Sequence, residues 1–593
     1  MSYNFKNNMN QFLKNFVKLK YNITFNLVSI FCLLLNVFLF NYLACGDNVL
    51  KHSGFYFHLV SCVIIFLPQL FFNKKEVSLA ILAVFTIYLL CNLLYYRAYF
   101  TLLPLDAYKM TANLKGLSES ILNSFRISDF LFIIPALISM FSFYFFFKKR
   151  IIKVSAKLRI ISFASLTLFF ALHFFNLYSL QRIKYDSWGQ WKCDLFRGEC
   201  RFGFVDCWYW QFKTLEVDRT LTKQNKKQIE SWLASQNHYI GKSAGKQFQS
   251  ENIIYIIVES LESFPVNLSI HDVPITPNLN KLVNSGKSIY FPNVVSQVKG
   301  GRSSDAQIIL NSGLLPPNSG AACFRFANNK YLSLAKCLHS KGYNSCTFTG
   351  GDASFWNEGV LNKDLGYDNL ISINNYINNE FYLFGLTDST FLSQTAGKIA
   401  KLKRPFFAQL ITMSSHDPYY LLKKRICYKA PDDCPEELGR YLNTIHYADK
   451  CIGEFLDKLD KNGILKNSRV IITGDHEAYK KSLIEWNDYV KKLGTITGYT
   501  PLIIYNAGTS YKNDAYIGQI DIYTSLLDLM GLNDYGWKGL GHRVFYSKQN
   551  IPVVDAWLNV YNKTISDSLN VKQMKESWKI SDLILKTNYF NNL

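Results

Sequence analysis

Long apolar runs dominate the first 181 residues of the chain, and they carry almost no charge. A helix needs about 20 apolar residues to cross a bilayer, and each run is close to that length. The first run is too long for a signal-peptide core and lacks a small-residue cleavage pattern, so we expect it to be retained. The pattern predicts a transmembrane domain over 1–181 with five spans, at roughly 22–44, 55–72, 77–96, 128–147 and 160–180.

Basic residues set the orientation of these spans. The N-terminal lysines, the NKKE turn at 73–76 and the KKRIIKVSAKLR connection at 148–159 all fall on one side of a five-span topology. Positively charged loops of this kind face the cytoplasm. The remainder of the chain is therefore predicted to lie outside the cytoplasm, beginning with a cysteine- and aromatic-rich tether over 182–250.

From residue 251 onward, short β-rich apolar runs alternate with helical stretches. The alternation predicts an α/β domain with a central, largely parallel sheet covered by helices. We assign 251–545 to this domain and 546–593 to a C-terminal extension without an interpretable motif. The runs are too short to cross a membrane and are typical of buried strands. They are IIYIIV (253–258), FFAQLIT (406–412), RVIITG (469–474) and PLIIYN (501–506).

Composition and charge narrow the class of protein. The chain is 49% hydrophobic and carries a formal net charge of +21, a combination that suits either nucleic acid or a membrane as partner. The apolar residues are concentrated in the N-terminal runs. The distribution therefore favours a membrane, and no nucleic-acid partner is expected.

The cysteines indicate the compartment. Of the 13 cysteines in the chain, nine lie after the apolar runs, and none shows the C-x-x-C spacing of a zinc ribbon. So many cysteines in a soluble portion predict disulfides in an oxidising space. The expected local bridges are Cys427 with Cys434, and two of Cys193, Cys200 and Cys207.

The segment KGGRSSDAQIILNS (299–312) reads as a glycine loop that delivers Ser303 and Ser304 to the start of a helix. A hydroxyl held there faces unpaired backbone N–H groups and the positive end of the helix dipole, where a phosphate binds readily. Taken alone, the pattern is more typical of a helix cap than of a nucleophile. The rest of the chain has to decide between the two.

Two predicted strands end in metal-ligand side chains. Glu259 follows IIYIIV directly, and Asp475 with His476 follows RVIITG. Active sites of such sheets lie beyond the carboxyl ends of the strands, so these groups can meet at one divalent cation, with Ser303 Oγ completing the shell. Singly, Glu259 could cap the next helix and the Asp-His pair could form a surface turn. Their joint occurrence at two strand ends favours the metal site.

Six separated segments together resemble the lipoteichoic acid synthase type of membrane phosphoglycerol transferase, within the alkaline phosphatase and sulfatase superfamily. The five predicted spans match that family's architecture as well. The C-x-P-x-R motif of true sulfatases is absent, so sulfate ester hydrolysis is not expected. The segments cover about 251–531 in motif order and read IIYIIVESLESFPVN, ITPNLNKLVNSGKSIYFPNVVS, GGRSSDAQ, ASFWNEG, LITMSSHDPYY and VIITGDHE.

The resemblance implies a metal centre and a nucleophile. Ser303 aligns with the family's nucleophile, which leaves Ser304 as the helix cap. One divalent metal ion, Mn, Mg or Zn, is expected as cofactor. Its implied ligands are Glu259, Ser303, Asp475 and His476.

The resemblance also implies a substrate pocket. His416 falls where the family contacts the substrate phosphate, and Trp356 falls where an aromatic residue lines the headgroup pocket. The plain alternatives are a buried structural histidine and a core tryptophan. Thr349 and Arg302 complete the predicted substrate-binding set.

Two positions depart from the family pattern. Thr349 stands where the family has a phosphate-site histidine, and Glu358 stands where it has an arginine. An acid near the entrance repels a phosphate but attracts an ammonium group. Phosphoethanolamine therefore becomes a candidate for the transferred group beside phosphoglycerol.

Together these observations predict a multi-pass enzyme of the bacterial inner membrane with an extracytoplasmic, periplasmic catalytic domain. It would transfer phosphoglycerol or phosphoethanolamine from a phospholipid donor to an envelope glycan or glycolipid acceptor through a phosphoserine-type intermediate. One alternative is a phosphodiesterase or phosphatase of the same superfamily, which releases the headgroup to water. Another is a catalytically silent membrane scaffold that binds glycolipid.

Overall fold

A computed structural model describes most of the chain. It divides into two compact units, 1–105 with 121–216, and 106–120 with 217–593. The described residues are 2–45, 55–71, 76–99, 102–103, 105, 125–148, 155–179, 199, 203–208, 211–212, 220–236, 252–318, 320–353, 355–383, 385–480, 483–545, 551–562 and 568–592.

The first unit consists of apolar helices. Among its described residues, three stretches are long and apolar enough to cross a membrane, namely Ile23–Ala44, Glu76–Arg97 and Ile127–Phe147. Phe55–Gln69 and Arg159–Leu172 are shorter apolar helices, so that the count of five spans stays a prediction. The α-helices are α1 Ser2–Cys45, α2 Phe55–Phe66, α3 Glu76–Tyr99, α4 Ile133–Ser142 and α5 Ala156–Ser179.

A buried ion pair joins two of the three long apolar stretches. The Arg97 guanidinium donates two hydrogen bonds of 2.7 Å to the two carboxylate oxygens of Asp129. Both side chains are almost fully buried. Burial of an unpaired charge in apolar surroundings costs free energy. The bidentate pairing of Arg97 with Asp129 lowers this cost for both residues.

The second unit is built around a mixed sheet of nine strands. Its spatial order is β8-β2-β7-β6-β1-β5-β3-β4, and β9 also pairs with β2. In chain order the strands are β1 Asn252–Val258, β2 Ser288–Val295, β3 Asn344–Thr349, β4 Asn369–Ile371, β5 Phe406–Ile411, β6 Ser468–Gly474, β7 Tyr499–Tyr505, β8 Tyr511–Lys512 and β9 Ile517–Gly518.

The prediction of a largely parallel sheet needs correction at β7. This strand runs antiparallel to both of its neighbours, β6 and β2. Its five central residues are buried, so the apolar sequence PLIIYN looks the same in either direction. Strand direction depends on the connections, which the apolar pattern does not report.

The four adjacent strands β6, β1, β5 and β3 are parallel and end at the same edge of the sheet. Val258 at the end of β1 is in register with Gly474 at the end of β6. On the other side, Ile257 is in register with Ile411, which in turn pairs with Thr349. The residues that follow these strands are therefore brought together.

Helices cover the sheet. Helix α8 is buried along almost its whole length, and the long helix α13 packs one face into the core. The α-helices of this unit are α6 Lys223–Ser235, α7 Pro277–Val283, α8 Arg302–Ser312, α9 Ala322–Arg325, α10 Leu334–His339, α11 Glu358–Asp364, α12 Asp388–Ile399, α13 Glu436–Lys461, α14 Leu483–Lys492, α15 Gln519–Leu529 and α16 Ser568–Thr587.

The C-terminal segment packs against the rest of the second unit. In α16, Ser581 Oγ donates to the Leu315 carbonyl at 2.6 Å, and the Leu585 carbonyl accepts from Asn329 Nδ2 at 2.6 Å. At its other end, Gln573 Nε2 donates to Ser235 Oγ of α6 at 3.1 Å. Helix α6, which precedes the sheet in sequence, and helix α16, which follows it, therefore both belong to the second unit.

The predicted bridge between Cys427 and Cys434 is wrong, because both residues are free thiols, and Cys207 forms no disulfide with any described cysteine. Cys193 and Cys200 lie outside the described residues. Four further cysteines of this unit are buried, and a buried thiol packs like a small hydrophobic side chain. These four residues are Cys323, Cys337, Cys346 and Cys451.

Candidate active site

The strand ends bring together a buried group of acidic and histidine side chains. One possible ligand atom from each of Glu259, Asp475 and His476 lies within 4.8 Å of the other two. His476 Nε2 is 3.4 Å from Asp475 Oδ2 and 3.7 Å from Glu259 Oε1. Burial, followed by the negative charge of Asp475, raises the pKa of Glu259. Two carboxyl groups thus lie side by side, shielded from water, and a positive charge is needed to compensate them.

Backbone amides orient the two carboxyl groups. Asp475 Oδ1 accepts hydrogen bonds from the N–H groups of Ser260 at 2.7 Å and His476 at 2.8 Å. Within the described part of the chain, Asp475 Oδ2 is buried without a hydrogen-bond partner. Glu259 Oε1 accepts from Ser260 Oγ at 2.9 Å, which turns Oε2 toward Ser303.

Ser303 lies in the first turn of α8 and faces this group. Its Oγ donates to Glu259 Oε2 at 3.2 Å and is 3.4 Å from His476 Nε2. Glu259, Asp475 and His476, named here the metal-ligand group, are buried, whereas Ser303 is only half-buried. A hydroxyl beside buried ligands and open to an incoming group suits a nucleophile.

The cap predicted at Ser304 is wrong. Ser304 Oγ donates to the Gly301 carbonyl at 2.6 Å and accepts no N–H of the helix start. Asp305 holds the loop instead, because its Oδ2 accepts from the N–H groups of Lys299 and Gly301, both at 2.9 Å. A carboxylate accepts hydrogen bonds from N–H groups more strongly than a hydroxyl does. Because Asp305 binds the N–H groups of the loop, the Ser304 side chain is not needed there and packs into the interior.

Arg302 interacts with the residues that follow β6. Its Nη2 is 3.0 Å from His476 Nδ1, and its Nη1 is 3.2 Å from Glu477 Oε1. His476 Nδ1 is also 2.9 Å from the Glu477 carbonyl. These contacts fix the ring so that Nε2 points at Ser303. The Arg302 guanidinium lies beside Nδ1 of His476, on the opposite side of the ring from Nε2. The substrate contact predicted for Arg302 stays a prediction.

His416 follows β5 and lies close to the same centre. It is half-buried, and it interacts electrostatically with Asp475 and Arg302. Its Nδ1 is 2.6 Å from the Asp417 carbonyl. Burial lowers the pKa of His416 against the opposing effect of Asp417. The structure thus brings His416 near the metal-ligand group, and the phosphate contact itself stays a prediction.

Trp356 and Thr349 line a neighbouring region. Trp356 is buried, with its ring centroid 6.2 Å from that of Phe324. Next to it, Asn357 Nδ2 donates to the Cys323 carbonyl at 2.7 Å. Thr349 ends β3 and hydrogen-bonds the carboxyl group of Glu358, the first residue of α11. The short helix α9 therefore links this region to the start of α8.

Strained backbone occurs at three of these positions. Ser260 next to Glu259, Arg302 next to Ser303, and Trp356 all have left-handed φ angles, of 53°, 41° and 49°. Each such residue costs about 1–3 kcal/mol and persists where the surrounding structure holds it. The coincidence with Glu259 and Ser303 supports a functional origin for the strain.

A buried ion pair that the sequence analysis missed supports the two segments that carry Glu259 and Asp475. Glu262 is fully buried and pairs with Lys480 at 2.6 Å. The Glu262 carboxylate also accepts from the N–H groups of Ala478 at 3.0 Å and Gly498 at 2.8 Å. The pair ties the segment after β1 to the segment after β6. The available signal was a second glutamate three positions after Glu259, and a lysine four positions after His476.

The residues present fit a divalent cation. Two carboxylates, one imidazole and one hydroxyl form a donor set that Mn, Mg or Zn accepts. The buried Asp475 Oδ2 without a hydrogen-bond partner is the position that a cation would satisfy. The side chains that would hold it are Glu259, Ser303, Asp475 and His476.

Gly474 allows the segment that carries Asp475 to lie close to the segment that follows Glu259. Its replacement by alanine is expected to displace Asp475. A Cβ atom there would lie 2.1 Å from the Leu261 carbonyl oxygen. Overpacking against backbone costs about 1–3 kcal/mol, so we expect a lower thermal unfolding temperature and weaker metal binding.

Gly397 in α12 provides the matched control. No atom lies within 4 Å of a Cβ placed there. Gly397→Ala should stabilise the protein by about 0.5–1 kcal/mol through helix propensity. Equal unfolding temperatures for Gly474→Ala and wild type would contradict the proposed close approach.

Comparison with known families agrees with this geometry. Residues 251–532 match the Sulfatase family, and residues 7–186 match the family described as Lipoteichoic acid synthase N-terminal domain. A solved structure, the lipoteichoic acid synthase LtaP from Listeria monocytogenes, superposes with a TM-score of 0.53 at 23% identity, covering 62% of this chain and 98% of that one. The second unit therefore has a sulfatase/alkaline phosphatase-like fold.

Curated relatives extend the match over both parts of the chain. Lipoteichoic acid synthase 2 of Bacillus subtilis is 31% identical over 51% of this chain and 48% of its own length. Lipoteichoic acid synthase of Staphylococcus aureus (strain USA300) is 28% identical over 78% of this chain and 74% of its own. The chain thus matches about half the length of the first of these relatives. The two family matches lie one after the other along the chain, and the curated proteins to which it is similar are lipoteichoic acid synthases.

Proposed function

We propose that the protein transfers a phospho-headgroup, phosphoglycerol or phosphoethanolamine, from a membrane phospholipid to an envelope glycan or glycolipid. The observation that carries the proposal is Ser303 Oγ, half-buried at the start of α8 and 3.2 Å from Glu259 Oε2. Its neighbours Glu259, Asp475 and His476 form the metal-ligand group. The kinship with lipoteichoic acid synthases supports a phosphotransferase acting at a membrane.

In the first step, Ser303 Oγ forms a bond to phosphorus while the bond from phosphorus to the diacylglycerol oxygen breaks. Glu259 Oε2 accepts the hydroxyl proton, and diacylglycerol leaves after taking a proton from water. In the second step, an acceptor hydroxyl attacks phosphorus and gives its proton to the hydroxide left by the first step. The bond from phosphorus to Ser303 Oγ breaks, and Ser303 Oγ takes back the proton held by Glu259. When bound, the divalent ion supplies a Lewis acid that polarises the phosphoryl oxygens.

The remaining predicted residues take supporting roles in this proposal. His416 contacts the phosphoryl group, and Trp356 with Thr349 lines the headgroup pocket. Arg302 holds His476 and approaches the phosphate from the nucleophile side. The protein would cross a bacterial cytoplasmic membrane five times and expose the second unit on the outer side, where the phospholipid donor and the acceptor meet.

The test follows the headgroup. Purified full-length protein is reconstituted in vesicles that contain a headgroup-labelled phospholipid and a glycolipid with exposed sugar hydroxyls, with Mn²⁺, Mg²⁺ or Zn²⁺ added in separate samples. We expect the label to become attached to the glycolipid while diacylglycerol is released. Free labelled headgroup would identify a hydrolase, and an intact donor lipid under all three metal ions would refute the proposed enzyme.

A further inference from the structure

A buried carboxyl group lies beside the nucleophile helix without a cationic partner. Glu358 begins α11, directly after Trp356 and Asn357, whose φ angles are 49° and 52°. Its side chain is 5% exposed. The hydrogen bond from Asn357 Nδ2 to the Cys323 carbonyl, 2.7 Å long, anchors the preceding turn. The backbone therefore holds the carboxyl group inside the protein.

The partners of this carboxyl group are neutral. Gln307 Nε2 donates to Glu358 Oε1 at 3.1 Å, and the Thr349 hydroxyl donates to the same carboxylate. Among the described residues, no lysine, arginine or histidine pairs with it. Burial raises the pKa of Glu358 to about 7 in spite of these two hydrogen bonds. A buried carboxylate in this condition is stabilised by any cation that reaches it.

The amide that contacts Glu358 has an unsatisfied oxygen of its own. Gln307 is 1% exposed, and its Oε1 is buried without a hydrogen-bond partner in the described part of the chain. The Glu358 carboxylate, which has two neutral donors but no cation, therefore lies next to an amide whose oxygen has no donor among the described residues. An N–H-rich ligand would supply what both need.

This acceptor pair is close to the reacting serine. Gln307 follows Ser303 by four residues in α8, so the two side chains lie on one face of the helix, about 6 Å apart at Cβ. Glu358 is in direct contact with Gln307. A headgroup with two carbons between its phosphate and its far end spans such a distance.

We propose that Glu358 and Gln307 bind the ammonium group of the headgroup that Ser303 transfers, so the donor is an amine-bearing phospholipid of the phosphatidylethanolamine class. This inference rests on the proposed function and deepens it. An ammonium group brings one positive charge and three N–H donors. A glycerol headgroup brings hydroxyl donors but leaves the carboxylate charge uncompensated. The amine takes no part in bond making and leaves attached to the transferred phosphoryl group.

The experiment offers both donors to the full-length protein. Vesicles contain equal amounts of phosphatidylethanolamine and phosphatidylglycerol with distinguishable acyl chains, so that the released diacylglycerol reports the donor used. We expect the wild type to consume phosphatidylethanolamine at least about tenfold faster, equivalent to about 1.4 kcal/mol. The mass of the adduct trapped on Ser303 should correspond to phosphoethanolamine.

Glu358→Gln removes the charge and keeps the size of the side chain. We expect it to slow release from phosphatidylethanolamine by about 10- to 100-fold and release from phosphatidylglycerol by less than about threefold. Asp449→Asn is the matched control, because Asp449 is a buried carboxylate that binds the backbone N–H groups of Asn278 and Leu279. It should change both rates equally.

Each outcome separates the inference from the function on which it rests. Equal use of both lipids by the wild type, or a preference for phosphatidylglycerol, would overturn the ammonium site while leaving the transferase intact. An equal loss on both lipids in Glu358→Gln would also overturn it. Release from neither lipid by the wild type would refute the proposed function itself.

Discussion

Ser303→Ala is expected to reduce headgroup transfer by at least about 10³-fold, because no other group can form the covalent bond to phosphorus in this mechanism. The change removes one hydroxyl from a half-buried position and breaks only the contacts of Ser303 Oγ with Glu259 and His476. Folding should therefore be preserved. The measurement is diacylglycerol release in vesicles, with the circular dichroism spectrum and thermal unfolding of the same preparation as a check on structure.

Ser304 provides the adjacent control. Ser304 Oγ donates to the Gly301 carbonyl and faces the interior of the protein. Ser304→Ala should therefore retain activity within about tenfold of wild type and lose about 1 kcal/mol of stability through the missing hydrogen bond. If Ser304→Ala were inactive and Ser303→Ala active, the nucleophile would have been assigned to the wrong serine.

Asp475→Asn should abolish stoichiometric metal binding. Asp475 Oδ1 already accepts two backbone N–H groups, so the substitution acts on the buried Oδ2 that faces Glu259 and His476. An amide there removes one negative charge, and its N–H₂ group has no lone pair for a cation. We expect the metal content after dialysis to fall from about one ion per chain to background, together with activity.

Thermal unfolding provides a second readout for Asp475→Asn. A ligand that binds the folded state at 100 times its Kd stabilises it by about 2.7 kcal/mol. Added Mn²⁺, Mg²⁺ or Zn²⁺ should raise the unfolding temperature of the wild type and of the Asp449→Asn control, but not that of Asp475→Asn. Undiminished metal content in Asp475→Asn would exclude this residue as a ligand.

The proximity of Glu259 and Asp475 could be predicted from sequence because it depends on strand ends. An apolar run reports where a strand stops, and neighbouring parallel strands stop at one edge of the sheet. Glu259 and Asp475 therefore lie together, one residue beyond the paired Val258 and Gly474.

Other features depend on contacts that the sequence pattern does not report. The antiparallel direction of β7, the free thiols of Cys427 and Cys434, and the role of Asp305 in place of Ser304 are all set by tertiary neighbours. An apolar strand reads alike in both directions, and a cysteine fills an apolar gap as readily as it forms a bridge. The surroundings of Glu358 likewise required the position of Gln307 in α8.

Helix α8 is fixed at the end remote from Ser303. Gly313 follows the helix, and a Cβ atom there would lie 2.7 Å from Gly539 Cα. The N–H of Leu540 donates to the Gly313 carbonyl at 2.9 Å, and Trp537 Nε1 donates to that of Ser312 at 2.6 Å. A rod held in this way cannot slide along its axis. Ser303 can therefore reorient chiefly by rotation about χ1, which changes the direction of its hydroxyl without moving the helix.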